Sequence, residues 1–270
     1  MEKILLPPGY RAQEVWNFHA RDTQQLCESV TPGRLFKRLV WRDKPVEVRI
    51  QLQPGTAEAS GPPEVARRLL GLTLDPTAFE QAFAKDPYLG PLIQKRSGLR
   101  LAQMATPFEA ITWAVMGQQV NLTFALQLRR TFIELADVRH DGRFYYPDAA
   151  AAAVIREQDL TGRKFSGAKA RTLVRLAQLV KSGELNLDQF DSQQLLQVKG
   201  IGPWTVQYAL LRGYGYGDCS LHGDAVVKKA LQQLFDVRLD AKGVEQLLAR
   251  YQPHRSLAAL HCWAFQSKQA

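Results

Sequence analysis

The sequence predicts an α+β protein that is mostly helical, with a mixed, strand-bearing subdomain near its N-terminus. Three observations carry this expectation. Val46, Val48, Ile50 and Leu52 alternate with Glu47, Arg49 and Gln51, the period of a half-buried strand, and the β signal extends back to Arg34. From Val65 onward, apolar residues recur at helical spacing instead. Strands gathered first and helices later point to a mixed subdomain joined to a helical body. At 270 residues the chain is a little long for one domain, so we expect a mixed subdomain over residues 1–100 and a helical domain over 101–270.

Taken in order, residues 53–63 are rich in Pro, Gly, Ala and Ser and read as a surface loop. Val65, Leu69 and Leu72 share one helix face. Asp75-Pro76 reads as a cap and first-turn proline ahead of Phe79 and Phe83. Thr106-Pro107-Phe108-Glu109 has the form of a capping box with proline at the first helical position, so a helix starts there and runs toward Gly117. Gln118-Gln119-Val120-Asn121 follows at its end. Arg163, Lys164, Lys169 and Arg171 precede a helix lined by Leu173, Leu176, Ala177 and Val180; this basic run reads equally as a border for a polyanion or as a solvated face. Lys181-Ser182-Gly183 ends that helix.

The most constraining stretch is 195–229. Val198-Lys199-Gly200-Ile201-Gly202 sets two glycines around one apolar residue, so the chain can turn sharply and bring backbone N–H groups against a phosphate. Pro203 suits a first helical position. Trp204, Tyr208 and Leu211 then fall on one helix face. Beyond the glycine-rich break 213–217, Asp224 precedes Ala225-Val226-Val227, where it reads as a helix cap, as a catalytic carboxylate, or as both.

Composition bounds the partners. Lys plus Arg is 35 against 26 Asp plus Glu, a net charge of +9, which suggests a polyanion, with nucleic acid the commonest. Cys27, Cys219 and Cys262 are far apart and without a C-x-x-C pair, so neither a zinc site nor a disulfide framework is indicated. No uncharged apolar stretch is long enough to span a bilayer, and the apolar run at the N-terminus is cut by Pro7-Pro8. We therefore expect no membrane insertion and a cytoplasmic protein in a reducing compartment.

The hairpin Lys199-Gly200-Ile201-Gly202, its spacing to Asp224 and the aromatic helix between them resemble the helix-hairpin-helix DNA glycosylases. Within them the closest likeness is to the AlkA-like DNA-3-methyladenine glycosylases of type II. It extends to Phe108–Gln119 and to Pro253-His254-Arg255-Ser256 with Leu260-His261-Cys262-Trp263, and it covers most of the chain, most clearly from Pro107 onward. Relatives that also cut the strand carry a lysine nucleophile where this chain has Trp204, so a Schiff-base route is not implied. The resemblance implies a helical helix-hairpin-helix body with the hairpin near 196–204 and a small antiparallel sheet ahead of it.

It implies a monofunctional glycosylase that flips an alkylated purine such as 3-methyladenine out of double-stranded DNA, hydrolyses its N-glycosidic bond and leaves an abasic site. Asp224 would be the catalytic carboxylate. Trp204, Tyr208 and Trp263 would stack on the cationic base, with core packing as the alternative for each. Phe18 is a further pocket candidate, although packing of the N-terminal subdomain accounts for it better. Lys199, Gly200, Ile201 and Gly202 would hold the DNA backbone with Gln118 and Gln119, and Gln119 aligns with the wedge position, where relatives carry an apolar side chain; a solvated interhelical loop is the alternative. No cofactor or catalytic metal is implied beyond a structural Na+ or K+ at the carbonyls of Val198 and Gly200. A monomer is expected. The competing functions are excision of an oxidised, deaminated or mismatched base, and noncatalytic binding of DNA lesions.

Overall fold

The fold was analysed in a computed structural model, which describes residues 1–267. Five strands form one antiparallel sheet: β1 (Glu2–Leu5), β2 (Glu28–Thr31), β3 (Arg34–Trp41), β4 (Lys44–Gln53) and β5 (Thr56–Ser60) in the order β1-β5-β4-β3-β2. Helix α1 (Ala12–His19) lies between the first two strands in sequence. The register of β3 against β4 runs from Arg34 opposite Gln51 to Trp41 opposite Lys44, so the alternation seen in the sequence is that of a hairpin with one face buried.

The expected loop over 53–63 is in part a strand. Pro54-Gly55 turns the chain, with Gly55 at φ +70°, and Thr56–Ser60 pairs with both β1 and β4 in the interior of the sheet. Ala57 and Ala59 are its buried residues. Their side chains are too small to register as a hydrophobic alternation, which is why the segment reads as a loop.

Helices α2 (Pro63–Leu69), α3 (Thr77–Phe83) and α4 (Gly90–Lys95) lead to α5 (Pro107–Gly117) and α6 (Leu122–Ala136). A small hairpin, β6 (Arg139–His140) and β7 (Arg143–Phe144), precedes α7 (Ala149–Ala152), α8 (Glu157–Thr161) and α9 (Gly167–Ser182). Then come α10 (Ser192–Leu196), α11 (Pro203–Ala209), one π-helical segment (Leu210–Tyr214), α12 (Ala225–Phe235), α13 (Ala241–Ala249) and α14 (Arg255–Gln266). The core is not divided at residue 100. One cluster joins Ile4, Leu35, Val48 and Leu69 to Phe108, Leu128, Phe132 and Leu173. A second packs Phe79, Leu89 and Ile93 against Val227, Leu248 and Leu257, so α3 and α4 belong by packing with the C-terminal helices.

The sheet meets the helices through buried charge. Lys37 on β3 is 2% exposed and places Nζ 2.5 Å from Glu109 Oε1 on α5 and 2.6 Å from Glu28 Oε2 on β2. Arg129 on α6 reaches the same two carboxylates at 3.0 and 3.1 Å, and Arg130 pairs with Asp22. Burial works to raise the Glu28 carboxyl, but Arg129 and Lys37 outweigh it and hold the group down at about 2. Glu109 therefore completes only half of the expected capping box. Thr106 Oγ1 does accept from the Glu109 N–H at 3.0 Å, whereas the Glu109 carboxylate turns to the Ala105 N–H and to the two cations.

Two buried histidines add a pH dependence. His261 on α14 is fully buried with no partner for either ring nitrogen among the described residues, and His19 bonds the Leu69 carbonyl at 2.9 Å. Burial lowers both from 6.5 to about 4. Their rings stay neutral in the folded protein while the unfolded chain protonates them below 6.5. Stability is thus complete above that value and falls as pH drops toward 4. We expect the melting temperature to be level above pH 7 and to decline between pH 6.5 and 4, and His261→Phe to remove about half of that slope in a circular-dichroism melting series.

Candidate active site

The hairpin sits between α10 and α11. Ile201 turns inward, and its N–H donates to the Val198 carbonyl at 2.9 Å. The N–H groups of Lys199, Gly200 and Gly202 donate to no acceptor among the described residues. Gly200 has φ +96°, and a Cβ there would lie 2.0 Å from Thr172 Oγ1, whereas a Cβ on Gly202 would meet nothing within 4 Å. Gly200 is thus required by the fold, and Gly202 keeps open space in front of its backbone. Thr172 on α9 donates to the Lys199 carbonyl at 2.9 Å. The Gly200 carbonyl accepts from Gln118 Nε2 at 3.0 Å. Val198 and Gly200 each keep a free carbonyl lone pair, which is what a monovalent cation would use.

The loop after α5 is tied to the hairpin. Gln118 Nε2 also donates to Thr205 Oγ1, at 2.9 Å, so its side chain is engaged within the protein. Lys169, from the basic run and in the first turn of α9, donates to the carbonyls of Met116 and Gln118 at 2.6 and 2.7 Å, so this lysine is a strut rather than part of a solvated face. Gln119, unlike Gln118, projects, as do Asn121 and Leu122 beyond it. It is exposed at the loop apex with φ +54°, an uncommon conformation for a residue with a side chain.

Asp224 is the N-cap of α12. Oδ1 accepts from the Val226 and Val227 N–H groups at 3.0 and 2.9 Å and from Trp263 Nε1 at 3.1 Å, while Oδ2 accepts, among the described residues, only from Trp204 Nε1, at 3.3 Å. The cap is therefore real, and it fixes the carboxylate with one oxygen less occupied than the other. Trp204, Tyr208 and Trp263 do come together: ring centroids are 5.2 Å apart for Trp204–Tyr208 and 6.3 Å for Tyr208–Trp263. Tyr208 is buried, its hydroxyl accepting from Trp113 Nε1 at 3.0 Å, whereas Trp204, Trp263 and Phe18 are half-buried at the edge of this cluster.

Sequence reasoning missed three residues of the cluster: Trp113, Arg21 and Arg212. The Arg212 guanidinium stacks on Phe18 at 4.2 Å and on Trp263 at 4.9 Å; that of Arg21 stacks on Phe18 at 4.0 Å and on Trp113 at 5.1 Å. Phe18 therefore belongs to the cluster and not merely to the packing of the sheet. A narrow cavity lined by Phe18, Arg21, Met104 and Trp113 lies between these rings and the ion pairs of Glu28 and Arg129. The π-helical turn delivers Arg212: one extra residue in the turn sends Leu211 into the C-terminal core and leaves Arg212 facing Phe18. A lone arginine inside the apolar run Ala209-Leu210-Leu211-Arg212 was the available signal.

No family model matches the chain. In sequence it is similar to the DNA-3-methyladenine glycosylase of Bacillus subtilis, 34% identical over 51% of this chain and 49% of that protein. It is also similar to DNA-3-methyladenine glycosylase 2 of Escherichia coli, 29% identical over 65% of this chain and 63% of the relative. The chain thus spans about half the length of the first relative and less than two thirds of the second. In fold it matches a 3-methyladenine DNA-glycosylase from Archaeoglobus fulgidus with a TM-score of 0.83 at 21% identity, over 98% of each chain.

The two glycines predict opposite behaviour on substitution. Gly200→Ala forces a side chain into the left-handed region against Thr172, a cost of about 2 kcal/mol. That lowers the melting temperature by roughly 4–8 °C, while an equivalent Gly202→Ala leaves it nearly unchanged. Hairpin, capped aspartate, aromatic helix and N-terminal sheet thus sit on a fold shared with a 3-methyladenine DNA-glycosylase, in a chain similar in sequence to DNA-3-methyladenine glycosylases.

Proposed function

We propose that the protein is a monofunctional DNA glycosylase of base excision repair that hydrolyses the N-glycosidic bond of alkylated purines such as 3-methyladenine and leaves an abasic site. One observation carries the reading. Asp224 is fixed beside a half-open aromatic cluster by two indole N–H groups and a helix N-terminus, with Oδ2 the less occupied oxygen. A flipped nucleotide would place its base among the rings and its deoxyribose against that carboxylate. An alkylated purine departs as a neutral molecule, so the charge that develops is the oxocarbenium ion on the sugar, which a fixed anion stabilises. A tryptophan occupies the position of the strand-cleaving lysine, which supports hydrolysis by water.

Double-stranded DNA would be held by the N–H groups of Lys199, Gly200 and Gly202, with a monovalent cation at the Val198 and Gly200 carbonyls bridging to a phosphate. Gln119 would fill the gap left by the flipped nucleotide. The protein would act as a monomer on nucleoid DNA in the cytoplasm; among the described residues no helix is long and apolar enough to cross a membrane.

Base release from methylated duplex DNA, followed by chromatography of the freed purines, tests the reaction. Wild type should release 3-methyladenine. Asp224→Asn should release it at least about 100-fold more slowly, the scale lost when one preorganised electrostatic group is removed, while affinity for an abasic-site duplex persists. A normal rate for Asp224→Asn would remove the carboxylate from the mechanism. Gly202→Asp has room for its side chain, so its effect should appear in binding rather than folding: at fixed salt, affinity for duplex DNA of any sequence should fall about tenfold or more. Unchanged affinity would show that the hairpin does not hold the phosphate.

A further inference from the structure

Lys169 accounts for only part of the basic run ahead of the hairpin. Arg171 and Arg175 lie one turn apart on α9, and both are exposed. Like charges at this spacing destabilise a helix, and no carboxylate stands three or four residues from either to offset them. The Arg171 guanidinium instead lies back over Gly167, where an added Cβ would be 3.2 Å from Nη1. Arg175 comes no nearer than 3.8 Å to the Glu184 carboxylate, with both side chains more than half exposed. On other surfaces, exposed arginines do hold a carboxylate: Arg49, Arg67, Arg139 and Arg156 each have one within 3.0 Å. The two α9 arginines also have a particular place. Both lie to one side of Thr172, which donates to the Lys199 carbonyl at 2.9 Å and leaves no room for a side chain on Gly200. This stretch of α9 therefore packs on the hairpin, beside the exposed Lys199.

From this arrangement we infer that Arg171, Arg175 and Lys199 form a second backbone-binding surface, which carries duplex DNA outward from the hairpin along one flank of the lesion. The inference rests on the glycosylase reading above and deepens it. The hairpin N–H groups of Lys199, Gly200 and Gly202 have no acceptor among the described residues, so a strand anchored there runs directly onto the cations beside them. Arg171 and Arg175 are about 6 Å apart along the helix axis, the scale on which successive phosphates of a strand follow one another. A guanidinium fork matches a phosphate in shape as well as charge, and each phosphate bound removes the repulsion between the two arginines. Continuity with the hairpin favours DNA over an acidic protein segment as the occupant. Contacts of this kind carry no sequence information. Their effect is to clamp one arm of the duplex to α9, the helix that also holds the Gln118-Gln119 loop through Lys169, so that a bend at the lesion works against a fixed arm.

The test measures affinity of the full chain, by fluorescence anisotropy, for three abasic-site duplexes: one long on both sides of the site, and two cut short on one side or the other. The double variant Arg171→Gln, Arg175→Gln is expected to bind the long duplex about tenfold more weakly than wild type, with a salt dependence shallower by about two phosphate contacts. It is expected to match wild type on one of the truncated duplexes and to fall short of it on the other. Its melting temperature should be unchanged, since both side chains are exposed. Arg171→Gln alone serves where the double variant fails to fold. The double variant Arg34→Gln, Lys44→Gln removes two exposed cations from the sheet and controls for net charge. An equal loss in that control, a loss that persists on both truncated duplexes, or no loss at all would overturn the inference and leave the glycosylase reading intact. Failure of wild type to bind any of the three duplexes would overturn both.

Discussion

The pairing of Lys37 with Glu109 is the contact on which the working parts depend. It joins β3 to the first turn of α5 inside the protein, and Arg129 and Glu28 close it into a balanced cluster with Asp22 and Arg130. Buried ion pairs contribute little net stability because desolvation offsets their attraction, but leaving one such charge uncompensated costs on the order of 3–5 kcal/mol. A cluster of this kind therefore penalises every docking of sheet on helices except one. That selected docking fixes α5, and α5 carries Trp113 at the aromatic cluster and the Gln118-Gln119 loop at its end. The same docking sets Phe18, on α1, and Arg21, just after it, against Trp113 and Arg212.

A second set of contacts couples that loop to the hairpin. Gln118 bonds the Gly200 carbonyl and the Thr205 hydroxyl, Lys169 bonds the Met116 and Gln118 carbonyls, and Thr172 bonds the Lys199 carbonyl. Helix α9 is thus a common support for both. The loop and the hairpin keep their spacing because each is held by groups on a rigid element, and the chain holds Gln119 in a left-handed conformation at the apex. Under the proposed function, one support sets how far the nucleotide gap lies from the anchored phosphate.

How much of this was legible in the sequence follows the range of the interactions. The hairpin, the cap at Asp224, the start of α5 at Pro107, the end of α9 at Gly183 and the β3–β4 pair are all written in residues close together, so local rules find them. Strand β5 was missed because alanines fill its buried face. Glu109 was read through a local rule as a capping residue, while its actual partners, Lys37 and Arg129, lie 72 and 20 residues away. Arg21 and Arg212 were missed for the same reason. They meet at Phe18 and at the Tyr208 hydroxyl, and nothing in the spacing of a single arginine tells a solvated side chain from that of Arg212, stacked on a ring nearly two hundred residues away in sequence. The π-helical turn compounds this, since a regular α-helix would keep Leu211 on the face of Trp204 and Tyr208.

The charges of the site divide along the bond to be broken. Under the proposed function, a single carboxylate on one side, oriented by two indoles and a helix N-terminus, would meet the sugar. On the other, two guanidinium groups lie on the aromatic rings that would receive the base. Because the cations are stacked on Phe18, Trp113 and Trp263, the rings do not present bare electron-rich faces. Their attraction for positive charge is already in use, and attraction for a second cation is correspondingly weakened. An arrangement with an anion at the sugar and cations at the base follows the polarity of heterolysis itself, in which the sugar gains positive charge and the leaving base gains negative charge.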